Sequence, residues 1–301
     1  MHDLDEHNIT EAVTATFTAA PNPRLKAVMT SLVRHLHAFA REVALTPDEW
    51  IQAVQFLTAV GQTCSPTRQE FILLSDTLGL SALVNALNSQ AARDATRSSL
   101  LGPFFRENAP EFPLGGNIAV DMPGEIVVLH GRVTDPTGQP IAGASIDVWQ
   151  TSSSGLYDIQ GPNPSEMNLR GRFRTDAEGR YHFRSVVPIG YSIPVDGPVG
   201  RLMDGLGRHG FRPAHIHFLL GAEGYRELAT ALYIAGDPHI DSDAVFGVSS
   251  SLVVAVQPPA ADSPAPELRR IAFDFTLSRA GEESGSHRVG ADPARVATAA
   301  E

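Results

Sequence analysis

With 301 residues, 43% of them hydrophobic and 19% charged, the chain carries enough apolar material for a sizeable core in one or two domains. Its 23 Lys and Arg against 34 Asp and Glu give a formal charge of -11, which repels phosphate backbones and anionic membrane surfaces, so nucleic acid is not an expected partner. The single cysteine, Cys64, excludes an intramolecular disulfide and any cysteine-built zinc or iron–sulfur cluster, leaving His, carboxylate and Tyr as possible metal ligands.

The opening residues MHDLDEHNIT carry acids where a secretory signal carries a basic segment and then an apolar run, and no apolar stretch is long enough to span a bilayer. A cytoplasmic protein that is not membrane-embedded is expected. Over the first hundred residues glycine is sparse, and Leu25, Val28, Met29, Leu32, Leu36 and Phe39 recur at three- and four-residue steps, which predicts an amphipathic helix. Thr46, Pro47, Asp48 and Glu49 form a helix start leading into Trp50, Val54, Leu57 and Val60, with Phe56 beside the stripe. Cys64 reads as a partly buried helix residue. A further helical segment is predicted from Thr67 to about Asn88, with Phe71, Leu74, Leu78, Leu83, Val84 and Leu87 on apolar faces.

After Leu101 the texture changes to short apolar runs punctuated by Gly, Pro, Asp and Asn: Ile126–Leu129, Ile141–Trp149, Gly179–Val187, Ala214–Leu220, Leu252–Val256 and Ile271–Leu277. This spacing predicts a β-sandwich. Asp135-Pro136-Thr137-Gly138 and Asp176-Ala177-Glu178-Gly179 read as hairpin turns, in which Gly takes positive φ and Asp bonds its own backbone. From Gly281 onward bulky apolar residues are almost absent, so this segment cannot offset the entropy of ordering by itself. The expected architecture is mixed α and β: a helical N-terminal region over 1–100, a β-sandwich over 101–280, and a loose tail over 281–301 unless a partner holds it.

Arg212-Pro213-Ala214-His215-Ile216-His217-Phe218 carries the most chemistry. A strand's two-residue period sends both imidazoles to one face and Ile216 and Phe218 to the other. A bare His-x-His also describes two histidines facing solvent, so the pair alone does not assign a metal. Upstream lie Tyr157 in Gly155-Leu156-Tyr157-Asp158 and Tyr191 in Pro188-Ile189-Gly190-Tyr191-Ser192-Ile193-Pro194, two of only five tyrosines, both in turn-like settings. Each alone reads equally as a rim residue with its ring packed and its hydroxyl wet. If both coordinate, their phenols must ionise far below a reference pKa of about 10, which takes a strongly Lewis-acidic, trivalent cation. Hard phenolates with imidazoles suit iron(III), whereas zinc is served by His and carboxylate without that deprotonation cost.

The ordered set GLYD, PIGYSIP and RPAHIHF, after a helical N-terminal region, resembles the intradiol ring-cleavage dioxygenases over nearly the whole chain. By position the resemblance implies one Fe(3+) per subunit held by Tyr157, Tyr191, His215 and His217, with Tyr191 as the tyrosinate that a chelating diol displaces. It implies that Arg212 stabilises charge developing on the substrate, as a fixed guanidinium beside an electron-rich dianion can. It also implies a homodimer formed through the helical region, often with a phospholipid lodged at that interface.

The segments Leu101-Gly102-Pro103-Phe104-Phe105, Leu73-Leu74-Ser75-Asp76-Thr77-Leu78-Gly79 and Asp196-Gly197-Pro198-Val199-Gly200 are most similar to the hydroxyquinol 1,2-dioxygenases. Their substrate is benzene-1,2,4-triol, opened with dioxygen to a hydroxymuconate and maleylacetate. The resemblance places Leu73, Asp76, Leu101, Gly102, Pro103, Phe104, Phe105, Ile193, Arg212 and Val245 at the substrate. Asp76 supplies a physical reason for a triol: a carboxylate facing the ring accepts a hydrogen bond from a third hydroxyl and is left unpaired by catechol. A helix-surface or capping aspartate is the competing reading of Asp76. Where some catechol-cleaving relatives carry a glutamine after the His pair, this chain reads Ala229-Thr230-Ala231-Leu232-Tyr233. The alternatives are a catechol or chlorocatechol 1,2-dioxygenase and, in a different class, a non-catalytic β-sandwich binding module.

Overall fold

The computed structural model of the protein describes residues 3–65, 68–89, 94–160 and 167–281. The expected loose tail lies outside the described residues except for Gly281, and so does Thr67, the expected start of the third helical segment. Two compact units divide the chain, residues 1–62 and 63–301.

The first unit carries α1 (Ile9–Ala15), α2 (Pro23–Glu42) and α3 (Pro47–Thr63), the last ending at the unit boundary. Local chemistry explains where α2 and α3 begin. Asn22 accepts the Leu25 N–H at 3.0 Å ahead of α2, and Pro23 sits at the first helical position, where a missing N–H costs nothing. Thr46 and Glu49 bond each other reciprocally, Thr46 N–H to Glu49 Oε2 at 2.9 Å and Glu49 N–H to Thr46 Oγ1 at 3.3 Å, which is a capping box. Arg41 joins α2 to the N-terminal segment, donating to the Glu6 carbonyl at 2.7 Å and the Thr10 hydroxyl at 2.6 Å. The predicted stripe of α2 is apolar but exposed: Leu25, Leu36 and Phe39 are each more than half accessible. Cys64, expected within a helix, lies one residue beyond α3 and is half-buried.

In the second unit the expected helical segment is two helices, α4 (Glu70–Thr77) and α5 (Leu80–Ser89), which meet at a 75° bend. Gly79 at φ +74° is the reason, since a left-handed residue ends a helix and glycine takes that conformation without a Cβ clash. Among the described residues no single helix is long and apolar enough to cross a membrane.

The strands are β1 (Ile126–Thr134), β2 (Ser145–Gln150), β3 (Arg170–Arg174), β4 (Arg180–Val186), β5 (Tyr191–Ser192), β6 (Phe211–Arg212), β7 (His215–Gly221), β8 (Leu228–Ile234), β9 (Val253–Val254), β10 (Arg269–Ala272) and β11 (Phe275–Thr276), with α6 (Pro198–Gly205) between β5 and β6. In one sheet β4 pairs antiparallel with one edge of β1, while β10 and then β11 run parallel along the other edge. The second sheet has the order β3-β2-β7-β8-β9. Val127, Leu129, Phe183 and Ile271 of the first sheet share one buried cluster with Ile146, Val148, Ile216 and Phe218 of the second, so the two sheets form the expected sandwich.

The differences from the sequence reading have physical causes. The Asp135 and Asp176 turns have the expected chemistry, with Gly138 at φ +81° and Gly179 at +71°, but the second joins β3 to β4, which lie in different sheets. It is a corner between layers and not a hairpin. The expected strand Ile271–Leu277 is interrupted because the Asp274 carboxylate, not a backbone carbonyl, accepts the Arg132 N–H at 2.8 Å. β3 escaped prediction because Arg170, Arg172 and Arg174 alternate through it, leaving Phe173 as its one bulky apolar residue. The change in sequence texture near residue 100 and the division into compact units also fall at different places. α4 belongs to the second unit because its buried Glu70 pairs with Arg68 at 2.9 Å and accepts the Val199 N–H of α6 at 3.2 Å.

Candidate active site

The sandwich core fixes the direction of the histidines. Ile216 and Phe218 of β7 point into the apolar core, so alternation sends His215 and His217 to the opposite face, as the two-residue period predicted. In register, Trp149 of β2 stands opposite His217 and Tyr233 of β8 stands opposite His215. The Trp149 and His217 rings stack at 4.9 Å and 4°.

Tyr191 is held differently from the expected turn. It lies on the two-residue strand β5, paired antiparallel with β6 so that it faces Arg212 across the pair. Tyr157 enters from a loop in which Gly155 has φ +78° and would bring a Cβ to 3.3 Å from Tyr191 Cβ. The Tyr157 N–H donates to Gln160 Oε1 at 3.0 Å, and the following residue, Asp158, is buried between Arg170 and Arg106, the latter at 2.6 Å.

These elements bring the four expected donors together. The Tyr157 and Tyr191 hydroxyls are 3.5 Å apart, Tyr157 Oη is 3.4 Å from His215 Nε2, and the two Nε2 atoms are 3.1 Å apart. The Nδ1–H of His215 donates to the Pro213 carbonyl at 2.7 Å, which leaves its Nε2 as the lone pair. Burial, with Arg212 nearby, pushes the His215 pKa down to about 3. Burial and the neighbouring His215 take His217 well below the usual imidazole value. Both rings are therefore neutral at ordinary pH, so each could offer a nitrogen lone pair. Burial first, and then the adjacent Tyr191, raise the Tyr157 phenol well above its usual pKa.

The arrangement suits a cation. Two neutral imidazoles aim Nε2 atoms at each other beside two phenols in a buried cluster, an arrangement that a central positive charge stabilises. Ligand bonds of about 2.0–2.2 Å put neighbouring donors roughly 2.9–3.6 Å apart, which matches the measured separations. Among the described residues no group of three or more His, Cys, Asp or Glu could hold a metal, so a site here depends on both phenolates. Two phenolates with two imidazoles fit iron(III).

Arg212 is buried beside the cluster and is oriented from behind. Its Nε and Nη2 donate to the Asp243 carboxylate at 3.1 and 3.3 Å, while Nη1 points to His215 Nε2 at 3.2 Å. Burial disfavours the Arg212 cation, but Asp243 outweighs it and raises the guanidinium pKa well above its usual value. Burial likewise opposes the Asp243 anion, and Arg212 nevertheless holds that carboxylate below its usual range. Asp243 also accepts the N–H groups of Val245 and Gly247 at 3.3 and 2.9 Å, so one carboxylate shapes the loop that carries Val245. The Tyr233 hydroxyl lies 3.5 Å from Arg212 Nη2 and 2.9 Å from the Ser99 hydroxyl, placing a polar group on the strand where some relatives carry glutamine.

Of the expected substrate wall, Leu101, Phe104 and Phe105 pack against the Trp149–Tyr157–Tyr191 cluster, and Phe104 stacks on Tyr157 at 4.3 Å. Gly102, at φ +73°, runs so close to His217 that a Cβ would lie 3.5 Å from the ring. Ile193 and Val245 are buried, and Pro103 is exposed. Leu73 and Asp76 are buried on α4, which removes the reading of Asp76 as a surface residue. Burial raises the Asp76 pKa, against lowering contributions from Ser81 and Arg212. Sequence reasoning missed Asp243, Trp149 and the Asp158–Arg170 pair. Only the position of Asp158 directly after Tyr157 hinted at one of them.

Known proteins are similar to this chain in sequence and in fold. Residues 101–279 match the family described as "Dioxygenase", and residues 22–96 match "Catechol dioxygenase N terminus". The chain is 48% identical to a 6-chlorohydroxyquinol 1,2-dioxygenase of Cupriavidus pinatubonensis over 253 residues, 84% of this chain and 92% of the relative. It is 47% identical to a hydroxyquinol 1,2-dioxygenase of a Rhizobium species over 84% of this chain and 86% of that one. The solved structure of a hydroxyquinol 1,2-dioxygenase from Pseudomonas putida DLL-E4 superposes with a TM-score of 0.85 at 45% identity, covering 91% of this chain and 99% of that one.

Proposed function

This chain belongs to the intradiol ring-cleavage dioxygenase family, and from that premise we propose that it opens benzene-1,2,4-triol, hydroxyquinol, between its two adjacent hydroxylated carbons with dioxygen. The product is a hydroxymuconate, the tautomer of maleylacetate. The observation that carries this reading is the buried cluster of Tyr157, Tyr191, His215 and His217, whose donor atoms lie 3.1–3.5 Å apart.

These four residues would hold one Fe(3+) per subunit, which when bound supplies the Lewis acidity that activates a coordinated diol toward dioxygen. Tyr191 is the phenol placed to act as a base toward substrate: it is 8% exposed against 1% for Tyr157, and its oxygen can take the proton that an incoming diol hydroxyl must lose. Tyr157 is pinned by the stacked Phe104 and the clamped Asp158, which fixes its hydroxyl where it would hold the ion. Arg212 turns its Nη1 to the cluster because Asp243 occupies the Nε and Nη2 edge. Its fixed positive charge stabilises negative charge on the ring without losing a proton. Leu101, Gly102, Phe104 and Phe105 give an apolar wall that excludes water from the ring.

Asp76 supports the triol. Asp76, already bonded by Ser81, gains a second partner from the third hydroxyl of hydroxyquinol that catechol does not supply. The relatives named for hydroxyquinol substrates point the same way. The same proposal includes a homodimer through the exposed apolar stripe of α2, with a phospholipid in the interface, and a cytoplasmic location. Native mass spectrometry reads the dimer and the lipid together.

The test is kcat/KM for benzene-1,2,4-triol and for catechol, with the product formed under labelled dioxygen. Preference for the triol and two labelled oxygens in the ring-opened acid are expected. Preference for catechol overturns the substrate, and a single labelled oxygen overturns the reaction class.

A further inference from the structure

Arg208, on the stretch between α6 and β6, joins two sides of the substrate wall from outside it. It donates Nη1–H to the Thr77 carbonyl at 2.6 Å and Nη2–H to the Ala244 carbonyl at 2.9 Å. Thr77 directly follows Asp76 and ends α4, so its carbonyl is one of those a helix leaves without an internal partner, where a cation is favoured. Ala244 directly precedes Val245. The same guanidinium lies 5.1 Å from the ring centroid of Phe246. Phe246 holds φ +58°, a conformation a bulky residue seldom takes, and its ring leaves only 3.4 Å for a Cβ at Gly79. One half-buried cation thus spans from the end of the Asp76 helix to the strained loop that carries Val245.

We infer that Arg208 is a specificity-determining positioning residue, which sets the gap between Asp76 and Val245 and thereby the preference for a ring bearing a third hydroxyl. The inference rests on the reading of Asp76 as the acceptor of that hydroxyl. Arg208 touches neither the four donors nor Arg212, which has its own carboxylate in Asp243. Loss of Arg208 therefore bears first on the wall, while the direct Arg212–Asp243 bonds remain. Guanidinium geometry is needed because its planar fork presents two donors to two carbonyls at once, whereas a lysine ammonium on its flexible stem has no such fixed spacing.

The experiment compares wild type, R208A, R208K and D76N, loaded with iron, for the ratio of triol to catechol kcat/KM. Amide hydrogen exchange at residues 77–79 and 244–247 and the visible band are recorded on the same samples. For R208A the ratio is expected to fall roughly tenfold, through a larger loss for the triol than for catechol, with the visible band retained. Exchange should quicken in both segments. R208K should show the same change to a smaller degree, and it carries the test if R208A fails to fold. An unchanged ratio in the folded Arg208 variants, beside a collapsed ratio in D76N, overturns the inference alone. A wild-type ratio in D76N removes the reading of Asp76 and the inference with it.

Discussion

Removing the Asp243 carboxylate should injure stability and turnover by amounts that its contacts set. In D243A the buried Arg212 guanidinium keeps its charge and loses its carboxylate partner, and the N–H groups of Val245 and Gly247 lose their acceptor. Stranding one member of a buried ion pair costs about 3–5 kcal/mol, and each lost backbone hydrogen bond about 1 kcal/mol. A midpoint loss of roughly 10–30 °C follows for a unit of this size. D243N keeps an oxygen acceptor and the shape of the side chain, so about 2–3 kcal/mol is expected there. Urea unfolding of the two variants beside wild type measures both. The folded pKa of Asp243 is depressed, so its contribution is present above the unfolded carboxylate value and is lost as pH falls through the folded one. The gap between wild type and D243N should accordingly narrow in acid. In kinetics, D243N lets the Nε–Nη2 edge rotate, so kcat should fall by about a hundredfold while KM for the triol changes only a few-fold. A D243N protein with wild-type kcat and a stability loss below about 0.5 kcal/mol would refute the view that this carboxylate aims Arg212.

Other outcomes follow from single contacts. G131A should unfold far more readily, because a Cβ on Gly131 would come within 1.8 Å of the Phe273 carbonyl oxygen, and thermal melting reads this directly. R170M leaves Asp158 with only Arg106, so the Tyr157 loop should loosen, seen as a shifted or broadened visible band before any loss of fold. Hydrogen bonding from Thr137, with smaller help from Arg279, holds Asp135 down to about 2. Its stabilisation is present above the unfolded carboxylate value and disappears as pH falls toward 2, so D135N should show a flatter acid-unfolding profile than wild type. Y157F removes one of two phenolates and should lower iron retention on gel filtration, whereas F104L should retain the metal with a perturbed band.

How much of this was legible in the sequence depended on the range of the interaction. Local chemistry read well: Thr46 with Glu49 starts α3 where the sequence placed it, and the period of two in His215–Phe218 gave the faces correctly. Interactions made across the chain did not. Nothing near Arg170 shows that its side chain is buried against Asp158, twelve residues earlier, so an arginine-rich strand looked like a loop. Asp243 meets Arg212 across 31 residues, and a loop aspartate carries no mark of the guanidinium it faces. Gly79 breaks a helix whose apolar pattern continues through it, because periodicity does not register a single positive φ. The stripe of α2 was read correctly as a pattern, and its residues are exposed in the single chain.

The most direct measurement is the visible spectrum of the iron-loaded protein during anaerobic addition of benzene-1,2,4-triol, followed by air. The account requires a coloured protein whose tyrosinate band shifts with the triol and returns as triol and dioxygen are consumed, and a Y157F protein in which the band is lost or strongly altered. A protein that takes up no iron, or whose band is indifferent to both the triol and Y157F, would contradict the assignment of Tyr157, Tyr191, His215 and His217 as the reacting centre.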